Sequence, residues 1–229
     1  MPSGRERPEA REAILARVRA ATADVPAGEQ ATWRREDDAD PAVAYRPAAP
    51  GPADDAVLVL LAERIGDYTA TVTRVAAEAG VASAVGDALA RHDAGTLAVA
   101  PGVPAAWRAV PGVAWLEDDP PLDHDALAGA DGVLTGCALA IAETGTVVLD
   151  AGPASGRRVL TLLVDLHVCV VRAEQVVADV VGGVAGLQGA LAAGRPVTLV
   201  SGPSATSDIE LDRVEGVHGP RRLEVVLVG

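Results

Sequence analysis

A run of seven mostly apolar residues, LHVCVVR at positions 166–172, constrains the fold of this chain more than any other feature. Its apolar residues do not alternate with polar ones, as they would in a strand with one face in water. Strands covered on both faces are typical of parallel sheets, because the crossover connections place helices on each side. The run therefore predicts a central strand of a parallel sheet.

From residue 54 onward, short apolar runs alternate with helical stretches. Asp54 or Asp55 can cap a helix that reaches about residue 65, and further helices are predicted at residues 81–92, 105–110, 123–130 and 174–191. Extended segments are predicted at residues 68–72, 96–100, 113–116, 133–142, 146–149, 197–201 and 223–228. This alternation predicts an α/β fold with three layers, α/β/α, and a mainly parallel sheet.

The beginning of the chain differs from the rest in its residue pattern. Residues 8–23 predict an amphipathic helix with Ile14, Leu15 and Val18 on its apolar stripe. Residues 24–52 are rich in alanine, proline and charge and show no sustained period. We therefore expect residues 1–53 to form an N-terminal helix and irregular arm, and residues 54–229 to form one α/β domain.

Composition excludes several classes of partner. The formal net charge is −13, which repels nucleic acid and anionic lipid. No apolar run approaches the roughly 18 residues of a membrane span, and the charged N-terminus lacks the apolar stretch of a secretory signal. We expect a cytoplasmic protein without membrane insertion. Every one of the 19 basic residues is arginine, so lysine-based chemistry is excluded.

The chain contains two cysteines, Cys137 and Cys169, both in apolar segments. An iron–sulfur cluster usually takes about four thiolates and a structural zinc site about four ligands. Neither group fits this chain alone, so we expect no cofactor here and interpret the cysteines as buried structural thiols.

The first candidate site is the segment IAETGTVVL at residues 141–149. Glu143 follows an apolar strand and precedes Thr144, Gly145 and Thr146. One interpretation is a hairpin tip with a solvated acid, since glycine accepts the positive φ of such turns. The other makes Glu143 a nucleophile or acid–base group that the threonines orient.

The second candidate is the pair Asp165 and His167 in LLVDLHVCVVRAEQVV. Residues two apart on a strand point to the same face, so Asp165 can orient a neutral His167 for proton transfer. The alternative is a buried histidine whose hydrogen bonds are satisfied within the core.

The third candidate is the hydroxyl-rich loop SGPSATSDIE that follows the strand predicted at residues 197–201. Ser207 and Glu210 fit a capping box at a helix start. One cap needs one hydroxyl, so a carboxylate or phosphate site at the carboxyl end of a parallel strand is the competing interpretation. Its predicted ligand-binding residues are Ser201, Gly202, Ser204, Thr206 and Ser207.

The fourth candidate is His218, which lies between two glycines and precedes Arg221 and Arg222. It can serve as a proton donor or an anion contact, or it can be a turn residue. Sequence alone leaves both interpretations open.

Together, IAETGTVVL, LLVDLHVCVVRAEQVV, SGPSATSDIE and GVHGPRRLEVVLVG resemble the lactate utilization protein C family, whose members are LUD-domain proteins. The resemblance implies a fold like the ribose-phosphate isomerase and CoA-transferase superfamily, the NagB/RpiA/CoA transferase-like fold. It also implies a role in oxidising L-lactate to pyruvate beside two iron–sulfur partner proteins. In the related CoA transferases a glutamate attacks the acyl carbon, and Glu143 is a candidate counterpart.

Three hypotheses follow. In the first, the chain is a non-redox component of a lactate-oxidising system and binds a small carboxylate or phosphate at a crevice between residues 143–146 and 201–208. In the second, it is a stand-alone acyl-CoA transferase or sugar-phosphate isomerase that uses Glu143. In the third, the hydroxyl loop is only a helix cap and the acidic surface contacts partner proteins.

Overall fold

The computed structural model describes residues 8–21, 53–207, 213–215 and 219–229. Helices α1 to α7 comprise Pro8–Ala21, Asp55–Gly66, Val81–Arg91, His124–Ala128, Leu160–Leu163, Val180–Gly186 and Gln188–Ala192. Strands β1 to β12 comprise Thr71–Val75, Thr96–Val99, Ala114–Glu117, Gly132–Gly136, Leu139–Ile141, Thr146–Leu149, Leu166–Arg172, Val176–Val177, Thr198–Val200, Ala205–Ser207, Arg213–Glu215 and Arg222–Val228.

Strands β1, β12, β7, β4, β2 and β3 form a six-stranded sheet in that order, and every neighbouring pair is parallel. Strand β7 lies at the centre, where Val168 is in register with Leu134 of β4 and Glu224 of β12. The run at residues 166–172 is therefore the central parallel strand that its composition predicts.

The side chains of β7 alternate between two apolar cores. Val168 and Val170 pack with one face of helix α3, whereas Cys169 and Val171 pack with helix α2 on the other face of the sheet. Helix α2 begins where the sequence predicts, because the Asp54 carboxylate accepts a hydrogen bond from the Val57 N–H at 2.9 Å. The predicted α/β fold with a mainly parallel sheet flanked by helices is confirmed.

A second sheet covers the face that carries α2. Strands β8, β5, β6 and β9 lie in that order, and the β5–β6 and β6–β9 pairs are antiparallel. Ala140 and Val147 pack into the same core as α2, while Val148 packs toward Leu187 on the outer side. The predicted hairpin around Gly145 is present, with φ +60° at that residue.

Two segments differ from the prediction. The extended segment expected at residues 133–142 divides into β4 and β5, which belong to different sheets. The helix expected at residues 174–191 is replaced by a 3-10 turn, strand β8 and the short helices α6 and α7. Gly183 lets helix α6 pack closely against β5, since a Cβ at this position would lie 2.6 Å from Ile141 Cδ1.

The predicted strand at residues 197–201 is present as β9, but it is antiparallel to β6 in the smaller sheet. The hydroxyl loop therefore does not follow a strand of the parallel sheet. Ser207 belongs to β10 and is in register with Arg213 of β11, whereas Glu210, the other member of the predicted capping box, lies outside the described residues. None of the described helices combines the length and the apolar character that crossing a bilayer requires.

Candidate functional site

A cavity of about 240 Å³ lies beside the amino-terminal ends of β7 and β12. These strands contribute His167 and Leu223, which are neighbours in the sheet register. The segment before β7 contributes Arg158 and Thr161. The remaining lining comes from β9, from the segment after it and from the segment before β12, through Thr198, Leu199, Val200, Ser201, Gly202, Pro203, Ser204, Gly219 and Pro220.

The cavity is thus at the opposite end of the parallel sheet from the carboxyl ends of the strands, where ligands usually bind and where the sequence predicted the site. The carboxyl end is partly filled by Trp107, which is 1% exposed and donates a hydrogen bond from Nε1 to Glu78. The Arg172 guanidinium lies 4.9 Å from the Trp107 ring centroid and also bonds Glu78. Although burial raises the pKa of Glu78, the hydrogen bonds from Arg172 and Trp107 bring it below its usual value.

A second ion pair, with a buried carboxylate, lies at the same end. Asp118 is 5% exposed and receives two hydrogen bonds from Arg157, at 2.7 Å and 2.6 Å. The Arg157 guanidinium also donates to the Leu122 carbonyl. Both oxygens of Asp118 therefore have partners within the protein, and these contacts lie at the end of the sheet where the sequence predicted a ligand site.

Arg158 provides the positive charge of the cavity wall. Its Nη1 donates to the carbonyl oxygen of Thr161 at 2.7 Å and to the Thr161 hydroxyl at 2.9 Å. Burial lowers the pKa of Arg158, although a guanidinium remains charged at neutral pH. A partly desolvated cation beside several hydroxyl groups favours an anion.

His167 lines the same cavity and is only 1% exposed. Its Nε2 lies 2.8 Å from the hydroxyl oxygen of Thr135, which is completely buried in β4. Asp165 has other partners, with Oδ1 accepting from Arg221 at 2.5 Å and Oδ2 lying 3.9 Å from Arg222. The predicted orientation of His167 by Asp165 is therefore wrong. The side chain that hydrogen-bonds the His167 ring is that of Thr135.

Cys137 and Cys169 are both buried, as predicted, and they form no disulfide. Cys169 follows His167 on the same face of β7 and lies close to both Thr135 and His167. The contact with Cys169 and the surrounding burial raise the pKa of the Cys137 thiol. Cys137 is therefore protonated at neutral pH and its sulfur is poorly reactive.

Part of the predicted hydroxyl loop lines the cavity, namely Ser201, Gly202 and Ser204. The Ser204 N–H donates to the Pro220 carbonyl at 2.7 Å, which joins this loop to the segment before β12. Thr206 and Ser207 lie on β10. His218 lies outside the described residues, and its predicted role stays a prediction.

The other predicted segment touches the loop without lining the cavity. The hydroxyl of Thr146 lies 2.7 Å from that of Thr144 and 2.8 Å from that of Ser201. Gly145 packs against helix α2, where an added Cβ would lie 2.6 Å from the carbonyl carbon of Arg64. These residues connect the hairpin to the cavity wall through hydrogen bonds.

Glu143 lies on the exposed tip of the β5–β6 hairpin. One carboxylate oxygen accepts a hydrogen bond from the Val180 N–H at 3.3 Å, at the start of helix α6. The residue is not part of the cavity lining. This position agrees with the hairpin-tip interpretation, and a catalytic role for Glu143 stays a prediction.

The sequence reasoning missed Arg158, Thr161 and Thr198, which line the cavity. The adjacent arginines in GRRVL at residues 156–160 were the available signal. Their division of roles depends on tertiary structure, because Arg157 pairs with Asp118 at one end of the sheet while Arg158 faces the cavity at the other. Across the described residues, no cluster of three or more acidic, histidine or cysteine side chains is arranged to hold a metal ion.

A family model for the LUD domain matches residues 114–228, which include β3 to β12 and the residues that line the cavity. The chain belongs to the LUD-domain family. The predicted resemblance to lactate utilization protein C is confirmed by a protein of that name from Deinococcus radiodurans. It is 52% identical over 167 residues, which are 73% of this LUD-domain chain and 77% of the relative.

Two further comparisons agree with this assignment. A relative from Bacillus mycoides named lactate utilization protein C 1 is 34% identical over 119 residues, half of each chain. The crystal structure of a DUF162 family protein from Deinococcus radiodurans superposes on this LUD-domain protein with a TM-score of 0.66. That match has 43% sequence identity and covers 78% of this chain and all of the other.

Proposed function

We propose that this LUD-domain protein is a non-redox component of an L-lactate utilization system in the cytoplasm, and that it binds a small carboxylate or phosphate in the cavity beside β7 and β12. The 52% identity to a protein named lactate utilization protein C supports the proposed role in lactate utilization. The oxidation of L-lactate to pyruvate removes two electrons and two protons, so a redox group must accept the electrons.

The position of Arg158 carries the binding proposal. Its guanidinium is held by two hydrogen bonds to Thr161 and faces a cavity that also presents Ser201 and Ser204. Charge-assisted hydrogen bonds to a carboxylate or phosphate are shorter and stronger than neutral ones.

The assignment of redox chemistry to partner proteins rests on the cysteines. The whole chain has two, Cys137 and Cys169, and both are buried. A cluster held in the usual way needs about four thiolates. We therefore propose that iron–sulfur partner proteins carry the electrons and that this chain contributes a ligand site or a docking surface.

The binding proposal is tested by thermal unfolding of the full chain with phosphate, acetate, L-lactate and pyruvate. A ligand at about a hundredfold excess over its Kd stabilises the folded state by about 2.7 kcal/mol, so Tm rises. Arg158→Gln should abolish the rise. Arg74→Gln is the matched control, because Arg74 pairs with Asp55 away from the cavity. An equal rise in Arg158→Gln and wild type, or no rise with any of the anions, overturns the proposal.

The assignment of redox chemistry to partner proteins is tested separately. The purified chain should not convert L-lactate to pyruvate with an artificial electron acceptor, and it should co-purify with iron–sulfur proteins from a native extract. Turnover by the isolated chain would contradict the non-redox assignment.

A further inference from the structure

Strand β9 lines the cavity with every one of its residues. Thr198, Leu199 and Val200 all belong to the lining, and residues 201–204 continue it without a gap. Side chains of successive strand residues point to opposite faces of a sheet, so three in a row do not all reach one cavity through their side chains. What the three residues share is the backbone edge of β9. The cavity therefore runs along this edge.

This edge of β9 has no neighbouring strand in the part of the chain that the structure describes. β9 is the last strand in the order β8, β5, β6, β9, and it pairs with β6 on its other side. In an antiparallel pair, successive residues alternate between bonding the neighbour and pointing their N–H and C=O away from it. At least one residue of Thr198–Val200 therefore turns both groups toward the cavity, and no hydrogen bond to another described residue occupies them.

β9 differs in this respect from the other outer strands of the two larger sheets. These are β1, β3 and β8, and none of their residues lines the cavity. An open edge is a template on which another chain can pair. Pro196 precedes β9 and Pro203 follows it, and neither has an N–H to offer a further strand. Pairing is thus limited to the three residues of β9, about 10 Å of strand.

We propose that the β9 edge binds an extended segment of a partner protein, which adds as a fifth strand to the smaller sheet. In this mode of recognition, main-chain hydrogen bonds provide the affinity and pockets for alternate side chains provide the specificity. The inference goes beyond the proposed anion site, because the contacts are made by main-chain groups of β9 and need no charge on the ligand.

The register of the smaller sheet defines the side chains that the segment carries. Leu199 is in register with Val148, which packs on the outer side of this sheet, and Leu199 is 63% exposed there. A segment residue beside Leu199 is therefore apolar, because it covers this side chain. The residues before and after it point inward, as Val200 does, toward the part of the lining that contains His167 and Leu223.

The cavity walls select a single extended chain as the occupant. The lining continues from β9 to Thr161 and Pro220, which belong to the segments before β7 and β12. One added strand needs about 4.8 Å beside β9, and the cavity of about 240 Å³ provides that space. Two copies of this chain cannot meet edge to edge here, because each β9 lies behind the same walls.

The peptide acetyl-TGTVVL-amide is the probe for this site. Its sequence is that of residues 144–149, which contain β6, the strand that already pairs with β9. The full chain is titrated with the peptide, and backbone amide exchange is followed by NMR. With about nine-tenths of the protein bound, exchange of the outward amides of residues 198–200 should slow about tenfold. Exchange in β3, an outer strand away from the cavity, should be unchanged.

A peptide of the same sequence with methylated amide nitrogens is the matched control. It keeps the side chains but has lost the main-chain donors, so it should neither bind nor slow exchange. Leu199→Ser should weaken binding of the unmodified peptide about threefold, since a cross-strand contact is lost. Leu191→Ser should leave binding unchanged, because Leu191 is 57% exposed on α7 and does not line the cavity. Urea unfolding shows that both variants fold.

Several results overturn the inference: failure of the peptide to bind at millimolar concentration, equal binding of the methylated peptide, protection of β3 in place of β9, or an unchanged affinity in Leu199→Ser. Protection of residues 198–200 that rises with protein concentration in the absence of peptide identifies a second copy as the occupant and overturns it too. The probe is uncharged, so its failure leaves the proposed anion site in place. Failure of every anion to raise Tm overturns that site and leaves the role of β9 in place.

Discussion

The hydroxyl oxygens of Thr146 and Ser201 lie 2.8 Å apart, although 55 residues separate them in the chain. Thr146 begins β6 and Ser201 follows β9, and these two strands pair antiparallel. The two polar segments that stand out in the sequence therefore meet. They meet as a hydrogen-bonded connection in the smaller sheet, and the cavity opens on the Ser201 side of it.

Removing the Thr146 hydroxyl should weaken this connection. Thr146 is 5% exposed and bonds both Thr144 and Ser201. We expect Thr146→Val to lower the free energy of unfolding by about 1 to 2 kcal/mol, because the partner hydroxyls lose a hydrogen bond. Urea denaturation measures the change. Thr146→Ser keeps the hydroxyl and is the control, and equal losses in the two variants would show that methyl packing dominates.

Gly145 should tolerate no side chain. Its φ of +60° is in the left-handed region, and an added Cβ would lie 2.6 Å from the Arg64 carbonyl carbon. Both strain and contact with the α2 backbone predict that Gly145→Ala destabilises the fold by about 2 kcal/mol or more. Gly194 has a similar φ of +66° with nothing near its Cβ position. The loss of stability in Gly194→Ala therefore measures the cost of the left-handed backbone conformation alone. A smaller loss at position 145 than at position 194 would contradict the packing argument.

Glu143→Gln should leave anion binding unchanged. The Glu143 carboxylate lies on the surface and bonds the Val180 N–H, outside the cavity lining. A glutamine carbonyl can accept the same hydrogen bond, so we expect a change in unfolding free energy within about 0.5 kcal/mol. Ligand titration measures binding. Loss of binding, or a covalent acyl group on Glu143 detected by mass spectrometry after incubation with an acyl-CoA, would instead favour the transferase hypothesis.

Asp150 should contribute to stability in a pH-dependent way. Burial raises the pKa of its carboxyl, but hydrogen bonds from the Gly152 N–H, Arg195 and Ser155 bring it below the usual value. Because the folded-state pKa is the lower one, the contribution is complete above the unfolded value of about 3.9 and is lost as pH falls through the folded value.

Asp150→Asn removes that titration. We expect the variant to be less stable than wild type at pH 7 by about 1 to 2 kcal/mol, since a charge-assisted contact with Arg195 is lost. The difference should shrink below about pH 4. Urea midpoints measured from neutral to acid pH give the comparison, and a constant difference across that range would show that the carboxyl ionises alike in both states.

Local chemistry in the sequence predicted much of the fold. The apolar run of β7, the Asp54 cap of α2 and the hairpin at Gly145 each depend on neighbouring residues, so sequence periodicity and turn chemistry are sufficient. The helix prediction for residues 174–191 is wrong for a related reason. Val176 is buried, as it could be in a helix, but Val176 and Val177 pair with β5 as a strand.

The sequence by itself determined that this is an α/β protein, that its central strand is parallel and covered on both faces, and that polar residues cluster after two short strands. Tertiary structure alone decided that β9 joins the smaller sheet, that the cavity lies at the amino-terminal ends of β7 and β12, and that Arg158 and His167 line it together. The reason is physical. Periodicity reports whether a side chain is buried, while the choice of neighbouring strand depends on contacts between residues far apart in the chain.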